Sequence, residues 1–292
     1  MHDIVTLTSA AWRLDAPLAT SRYGVLWRAT NAATGVPAAL KLVNTEEMRL
    51  APAPLRRHWC DAAAAEIAFL RALQPWDGRH IVRLLDAGTA DGCPALALEL
   101  LDGDLKTLLA TRGTPPFGQA LDWIAQVNGA LARVHQYGWR HLDLKPANLL
   151  VDAAAGTLKL ADFGTCRPLA DAGAHDVAGT PGWQAPEQCA PAMSARCVTD
   201  ARSDYFALGA LFYHLVTGAR LATHDGIAPA EASLFLARAS GAGHGAGAAA
   251  LALLRTLTAP EPGDRPRHAL DISRLLARVR DAAGGTGMRR AA

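Results

Sequence analysis

The stretch His141-Leu142-Asp143-Leu144-Lys145-Pro146-Ala147-Asn148-Leu149-Leu150-Val151 constrains this chain more than any other. It sets a carboxylate, an amine two residues on and an amide five residues on, directly ahead of an apolar run. Asp162-Phe163-Gly164 follows fourteen residues after Asn148. Asp143 can accept a hydroxyl proton, Lys145 can neutralise a transferring phosphoryl group, and Asn148 and Asp162 can hold magnesium. Such chemistry asks little covalent work of a protein, so positioning and charge stabilisation are what the residues must supply. A His-x-Asp tripeptide alone is common and Asp-Phe-Gly also occurs as an ordinary turn. Their order and spacing make the pair specific.

The stretch resembles the catalytic loop of the eukaryotic-type (Hanks-type) Ser/Thr protein kinases, and Asp162-Phe163-Gly164 is similar to their magnesium loop. The resemblance covers residues 5–280, nearly the whole chain. It implies an α+β, two-lobed fold: a β-rich N-lobe of residues 1–101, a helical C-lobe of residues 102–292, and a nucleotide cleft between them. The implied cofactors are ATP and Mg2+, with Asn148 and Asp162 as metal ligands. Ala39-Leu40-Lys41 occupies the place of the kinase Val-Ala-Ile-Lys strand, which makes Lys41 the ATP-phosphate lysine and Glu66 its partner. Alone, Lys41 would read as a strand-edge surface lysine and Glu66 as a solvated helix glutamate.

Leu18-Ala19-Thr20-Ser21-Arg22-Tyr23-Gly24 stands where the family has its glycine-rich phosphate loop. Ala19 and Ser21 replace the first two expected glycines, and glycine is what lets backbone amides approach phosphates closely. By resemblance Leu98 is the gatekeeper, the backbone of Glu99 and Leu101 meets adenine, and Leu26, Ala39 and Leu150 complete the nucleotide contacts. Gly179-Thr180-Pro181-Gly182-Trp183-Gln184-Ala185-Pro186-Glu187 matches the substrate-docking segment, with the Thr180 hydroxyl meeting Asp143 and Lys145. Asp204 would brace the catalytic-loop backbone, and Arg265 would pair with Glu187. Again by resemblance, Lys145 within Asp-Leu-Lys-Pro implies Ser/Thr rather than Tyr acceptors on a protein substrate.

Periodicity gives an independent outline. Residues 4–42 alternate apolar and polar in short runs broken by Pro17, Gly24 and Gly35, as antiparallel strands do. Thr45–Leu55 is polar and proline-bearing and reads as loop, with a helix from Arg56 through the alanine-rich 62–70. Residues 81–86 and 94–101 read as strands joined by an Asp91-Gly92 turn. Leu121, Ile124, Val127, Leu131 and Val134 recur at helical spacing within 117–137, ahead of a Gly138 cap. A short strand at 157–161 presents Asp162. The Gly/Ala-rich 237–250 reads as a flexible segment, 267–280 as a last helix and 284–292 as a disordered tail.

Twenty-nine basic against 27 acidic residues, a net charge of +2, give no case for a nucleic-acid partner. Five cysteines without a C-x-x-C pair suggest free thiols in a reducing compartment, and the Cys189/Cys197 spacing is poor for zinc. No signal peptide is visible, and the apolar run 205–219 is shorter than a bilayer needs, so the expectation is a soluble, cytoplasmic protein. The high alanine content hints at a GC-rich, bacterial genome.

Three readings stay open: an active Ser/Thr protein kinase, a pseudokinase scaffold with a degenerate glycine loop, and a small-molecule phosphotransferase. The last gives no reason for the docking segment. The scaffold gives no reason to keep Lys41, Glu66, Asp143, Lys145, Asn148 and Asp162 together. Regulation follows from two absences. Leu142 stands where many kinases carry the arginine that receives a loop phosphate, and residues 166–179 contain no Ser, Thr or Tyr. Activation by loop phosphorylation is therefore not expected. The kinase would be either constitutively competent or controlled by a regulatory protein partner, by helix position or by expression.

Overall fold

A computed structural model describes residues 4–21, 24–177, 179–189, 196–221, 226–239 and 244–288, with backbone alone at 53–55, 244 and 284–288. The chain divides into two compact units, Met1–Asp102 with Ala161–Cys166, and Gly103–Leu160 with Arg167–Ala292. The sequence places the break after Leu101 and everything beyond it in the second unit. Ala161–Cys166 instead groups with the first.

In the first unit, β1 (Ile4–Thr6), β2 (Ala11–Thr20), β3 (Gly24–Asn31) and β4 (Pro37–Val43) confirm the antiparallel reading of residues 4–42. Pro17 does not break its strand. It lies in β2 beside a register shift between Pro17 and Ala19, a place where a missing amide donor is tolerated. Next come α1 (Thr45–Leu50) and α2 (Ala53–Ala72), so the loop expected over Thr45–Leu55 is largely helix. Asn44 caps α1 by accepting the Glu47 amide at 3.2 Å, and Glu46 and Glu47 suit its positive end. Pro54 falls in the first turn of α2, where the amide it lacks has no helical partner anyway. Helix-start chemistry outweighs the polar, proline-bearing composition.

Strands β5 (Leu84–Ala90) and β6 (Cys93–Glu99) complete a sheet in the order β1-β2-β3-β4-β6-β5. Asp91 (φ 50°) and Gly92 (φ 76°) make the expected hairpin turn. Leu7, Trp12, Ala29, Ala38, Leu40, Ala95 and Ala97 form the core on one sheet face. Buried Asp86 ties the β1–β2 connection to β5: it accepts the amides of Ser9 (3.1 Å) and Ala10 (3.0 Å) and the Trp12 indole (3.2 Å).

The second unit begins with α3 (Leu105–Arg112), capped by Asp104, which accepts the Thr107 amide at 2.8 Å. Helix α4 (Phe117–Gln136) buries Leu121, Ile124, Val127, Leu131 and Val134 as their spacing predicts. Three short antiparallel pairs follow. They are β7 (Trp139–Arg140) with β10 (Arg167–Pro168), β8 (Leu149–Asp152) with β9 (Thr157–Leu160), and β11 (His175–Asp176) with β12 (Arg196–Cys197). Helix α5 (Ala201–Thr217) is buried nearly all round, and α6 (Pro229–Ala239), α7 (His244–Leu257) and α8 (Ala269–Met288) pack about it and α4. Much of 237–250 is thus helix rather than flexible chain, with Ala246 and Ala250 fully buried; residues 240–243 lie outside the described residues. Helix α8 likewise runs through 284–288, where a disordered tail was expected; residues 289–292 lie outside the described residues. Packing, more than local propensity, sets these helix limits. Among the described residues no helix is long and apolar enough to cross a membrane.

Gly209 lets α5 meet the end of α7. A Cβ there would lie 2.6 Å from Thr258 Cγ2 and 2.8 Å from Leu257 Cβ. Gly209→Ala is expected to lower stability by about 1–3 kcal/mol despite alanine's higher helix propensity. Urea melts of the two proteins measure it, and an unchanged or raised midpoint would contradict this packing.

Candidate active site

In the first unit, β4 presents Lys41 between two carboxylates. Its Nζ lies 2.7 Å from Glu66 Oε2 on α2 and 2.7 Å from Asp162 Oδ1. Burial works against the Lys41 charge, yet the carboxylates of Asp162 and Glu66 outweigh it and hold the ammonium above the ordinary lysine range. Glu66 is itself buried, and its other oxygen accepts the Phe163 amide at 3.0 Å. Phe163 packs on Phe69 of α2, with ring centroids 4.5 Å apart. One helix therefore positions both the lysine and the Asp162-Phe163-Gly164 turn. Asp162 sits in the left-handed region at φ 63° with its carboxylate half-exposed.

In the second unit the loop after β7 is built on Asp204, in the first turn of α5. Its buried carboxylate accepts the amides of His141 (2.8 Å) and Leu142 (2.7 Å) and faces His135 Nε2 at 2.8 Å. Leu142 adopts φ 67°, a costly conformation for leucine. The two amide bonds to Asp204 hold it there, and Gln188 Nε2 donates to its carbonyl at 2.9 Å. Gly179, at φ 102°, passes so close that a Cβ would lie 2.6 Å from that same carbonyl.

The loop so held brings four of the expected residues together. Lys145 Nζ lies 2.6 Å from Asp143 Oδ2, and the Thr180 hydroxyl donates to Asp143 Oδ1 at 2.7 Å. Lys145 also donates to Thr180 Oγ1 at 2.6 Å. Asn148 Nδ2 donates to the Asp143 carbonyl at 2.8 Å and to Oδ2 at 3.1 Å. Below this, Glu187 and Arg265 form a two-pronged pair at 2.6 and 2.9 Å. Ser203 donates to Glu187 at 2.7 Å, and the remaining donors of Arg265 reach carbonyls of Arg202, Ala259 and Pro260.

The other expected residues are placed as follows. Leu18 and Ala19 end β2, and Gly24 opens β3. Ser21 closes the turn between them: its amide donates to the Gly24 carbonyl at 2.9 Å, and its hydroxyl accepts the Gly24 amide at 3.0 Å. Arg22 and Tyr23 lie outside the described residues. Leu26 is the cross-strand partner of Lys41, and Ala39 that of Leu98. The Glu99 carboxylate accepts the Arg83 amide at 2.9 Å, and Leu101 lies just past β6. Leu150 stands on β8 and bridges to Asp104 in the second unit.

Sequence reasoning missed Arg140. This fully buried side chain donates from Nη1 to the Pro168 carbonyl at 2.9 Å and from Nη2 to the Asp171 carbonyl at 2.8 Å. The signal available was an arginine next to the His141 loop, but its partners are backbone carbonyls that leave no mark in sequence. Gln188, which donates to the Leu142 carbonyl, was missed for a similar reason, and His135 was missed although its partners, Asp204 and Tyr205, are side chains.

The profile described as "Protein kinase domain" matches residues 15–239. This chain belongs to the protein kinase family. Serine/threonine-protein kinase PknL of Mycobacterium tuberculosis is 32% identical over 207 residues, 68% of this chain and 50% of that protein. Serine/threonine-protein kinase PknB of Mycobacterium leprae is 35% identical over 147 residues, 47% of this chain and 23% of PknB. Serine/threonine-protein kinase ATG1b of Arabidopsis thaliana is 30% identical over 205 residues, 69% of this chain and 27% of ATG1b. The chain thus spans half or less of the length of these kinase relatives. The β-rich first unit and helical second unit are those of the two-lobed protein kinase fold.

Burial raises the cost of the Asp204 charge, but the His135 contact and the loop amides overcome it and hold the carboxyl below its ordinary range. A carboxyl depressed in the folded state stabilises fully above its unfolded pKa, about 3.9, and loses that contribution as pH falls through the folded value. Asp204→Asn is expected to cost about 2–4 kcal/mol at pH 7 and to flatten the acid limb below about pH 4. Denaturant melts from pH 2.5 to 7 test this; parallel profiles for the two proteins would refute it.

Proposed function

We propose that this chain is an ATP- and Mg2+-dependent Ser/Thr protein kinase that transfers a γ-phosphoryl group to protein hydroxyls. One observation carries the reading: Asp143 already accepts a hydroxyl hydrogen bond, from Thr180, while the Lys145 ammonium touches both groups. An acceptor Ser or Thr needs the same two partners. Asp143 orients the acceptor hydroxyl and takes its proton, and Lys145 offsets charge on the phosphoryl oxygens. Lys41, kept charged by Glu66 and Asp162, grips the α- and β-phosphates.

The donor set suits magnesium. Asp162 offers a half-exposed carboxylate, and Asn148, with its nitrogen turned to Asp143, offers an amide oxygen. Magnesium characteristically takes one or two protein oxygens beside substrate phosphates rather than a full protein cage. Bound Mg-ATP supplies the phosphoryl group and the counter-charge. The apolar residues Leu18, Leu26, Ala39 and Leu98, with the backbone of Glu99 and Leu101 and with Leu150, are assigned to adenine, and Ala19, Ser21 and Gly24 to the phosphates.

The same reading makes the kinase competent without loop phosphorylation. Leu142 offers no charge to a phosphate, whereas the two terminal nitrogens of Arg140 already donate to the carbonyls of Pro168 and Asp171. Neutral backbone acceptors thereby do the ordering that a phosphate does elsewhere.

Two experiments test the proposal. With labelled ATP and magnesium, the purified protein should phosphorylate a Ser/Thr protein substrate, and Asp143→Ala or Asp162→Ala should lower kcat about 10²–10⁴-fold. Near-normal turnover by Asp162→Ala would refute the assignment. Nucleotide binding by the parent protein without any transfer would instead favour a scaffold. Phosphatase treatment of the active protein should leave its rate within about twofold, on the scale of 0.4 kcal/mol. A sharp fall, with a phosphosite mapped between Asp162 and Glu187, would overturn the regulatory reading.

A further inference from the structure

We propose that Cys60 and Cys93 are a redox modification site, closing to a reversible intramolecular disulfide that fastens α2 to β6 when the protein meets a hydroperoxide. Cys60 lies in the first half of α2 and Cys93 opens β6. The two residues are 33 apart in sequence, yet their Sγ atoms are 3.4 Å apart. A third sulfur, Met48 Sδ on α1, lies 4.0 Å from Cys93 Sγ. The sulfurs need approach by little more than an ångström to reach the bonded separation of about 2.05 Å. Side-chain torsions can absorb part of that.

The two thiols are unequal, as a stepwise oxidation needs. Cys93 is buried, and burial followed by its Cys60 neighbour pushes its thiol up to about 11. Cys60 is partly exposed and meets the oxidant first. Its sulfur attacks the peroxide O–O bond and becomes a sulfenic acid, and the other oxygen leaves as an alcohol or water. The Cys93 sulfur then attacks the Cys60 sulfur. The S–O bond breaks, and the hydroxyl departs as water with the Cys93 proton. Two electrons pass from the thiols to the peroxide, and a dithiol reductant reverses the change.

The consequence falls on α2. Cys60 precedes Glu66 by six residues, about 9 Å along the helix. The thiols touch in the same arrangement in which Glu66 meets Lys41, so the bond would hold that ion pair rather than break it.

Controlled treatment of the purified protein with hydrogen peroxide tests this without reference to catalysis. Non-reducing peptide mapping should find a Cys60–Cys93 link and the loss of two of the five free thiols, with Cys166, Cys189 and Cys197 unlinked. Hydrogen exchange of α2 amides should slow several-fold, and a dithiol should restore both readings. Cys60→Ser and, separately, Cys93→Ala should abolish the link and the slowing. Mapping of the parent protein stands even if a variant folds poorly. Sulfinic acid on Cys60 beside an untouched Cys93 thiol would overturn the proposal. So would a link to another cysteine or another chain, or faster exchange in α2 after oxidation.

Discussion

The loop that carries Asp143 depends on one buried charge. Asp204 accepts two consecutive amides, and the second belongs to a leucine in a conformation that leucine avoids. A neutral acceptor would bind those amides less strongly, and the strain at Leu142 would find relief elsewhere. Leu142 can hold its place because Gln188 fixes its carbonyl from the opposite side. The geometry of Asp143, Lys145 and Asn148 follows from that fixed peptide.

The first unit uses the same device. Glu66 is as buried as Asp204, and it divides its oxygens between the Lys41 ammonium and the Phe163 amide. Asp86 gathers amides and an indole in the same way at the far side of the sheet. Burying a carboxylate is costly unless every lone pair finds a donor. Here the donors are amides of turns that would otherwise have no reason to adopt one shape. The cost of desolvation is offset by exact placement of short, irregular segments that no helix or sheet could hold.

Much of this was legible in the sequence because the residues concerned are chemically unusual for their surroundings. Asp143, Lys145, Asn148 and Asp162 stand beside apolar runs, and their spacing alone relates them. The strands of the first unit and the buried stripe of α4 were legible from periodicity. What escaped was whatever depends on backbone partners or on packing. Asn44 as a cap and Pro54 in a first turn were hidden by a composition that also suits loops. Arg140 escaped because the carbonyls it binds carry no side-chain signature. The alanines of α7 look like linker until α5, α6 and α8 are seen to close on them.

The assignment of Ala161–Cys166 to the first unit has a consequence for biogenesis. Met1–Asp102 leaves the ribosome first, but the segment that puts Phe163 against Phe69 and gives Glu66 its amide donor comes much later. At ordinary translation speeds of about 5–20 residues per second, the nascent unit waits several seconds with an unplugged core and an under-bonded glutamate. The early third of the chain thus cannot close its core until a later stretch delivers six residues back to it.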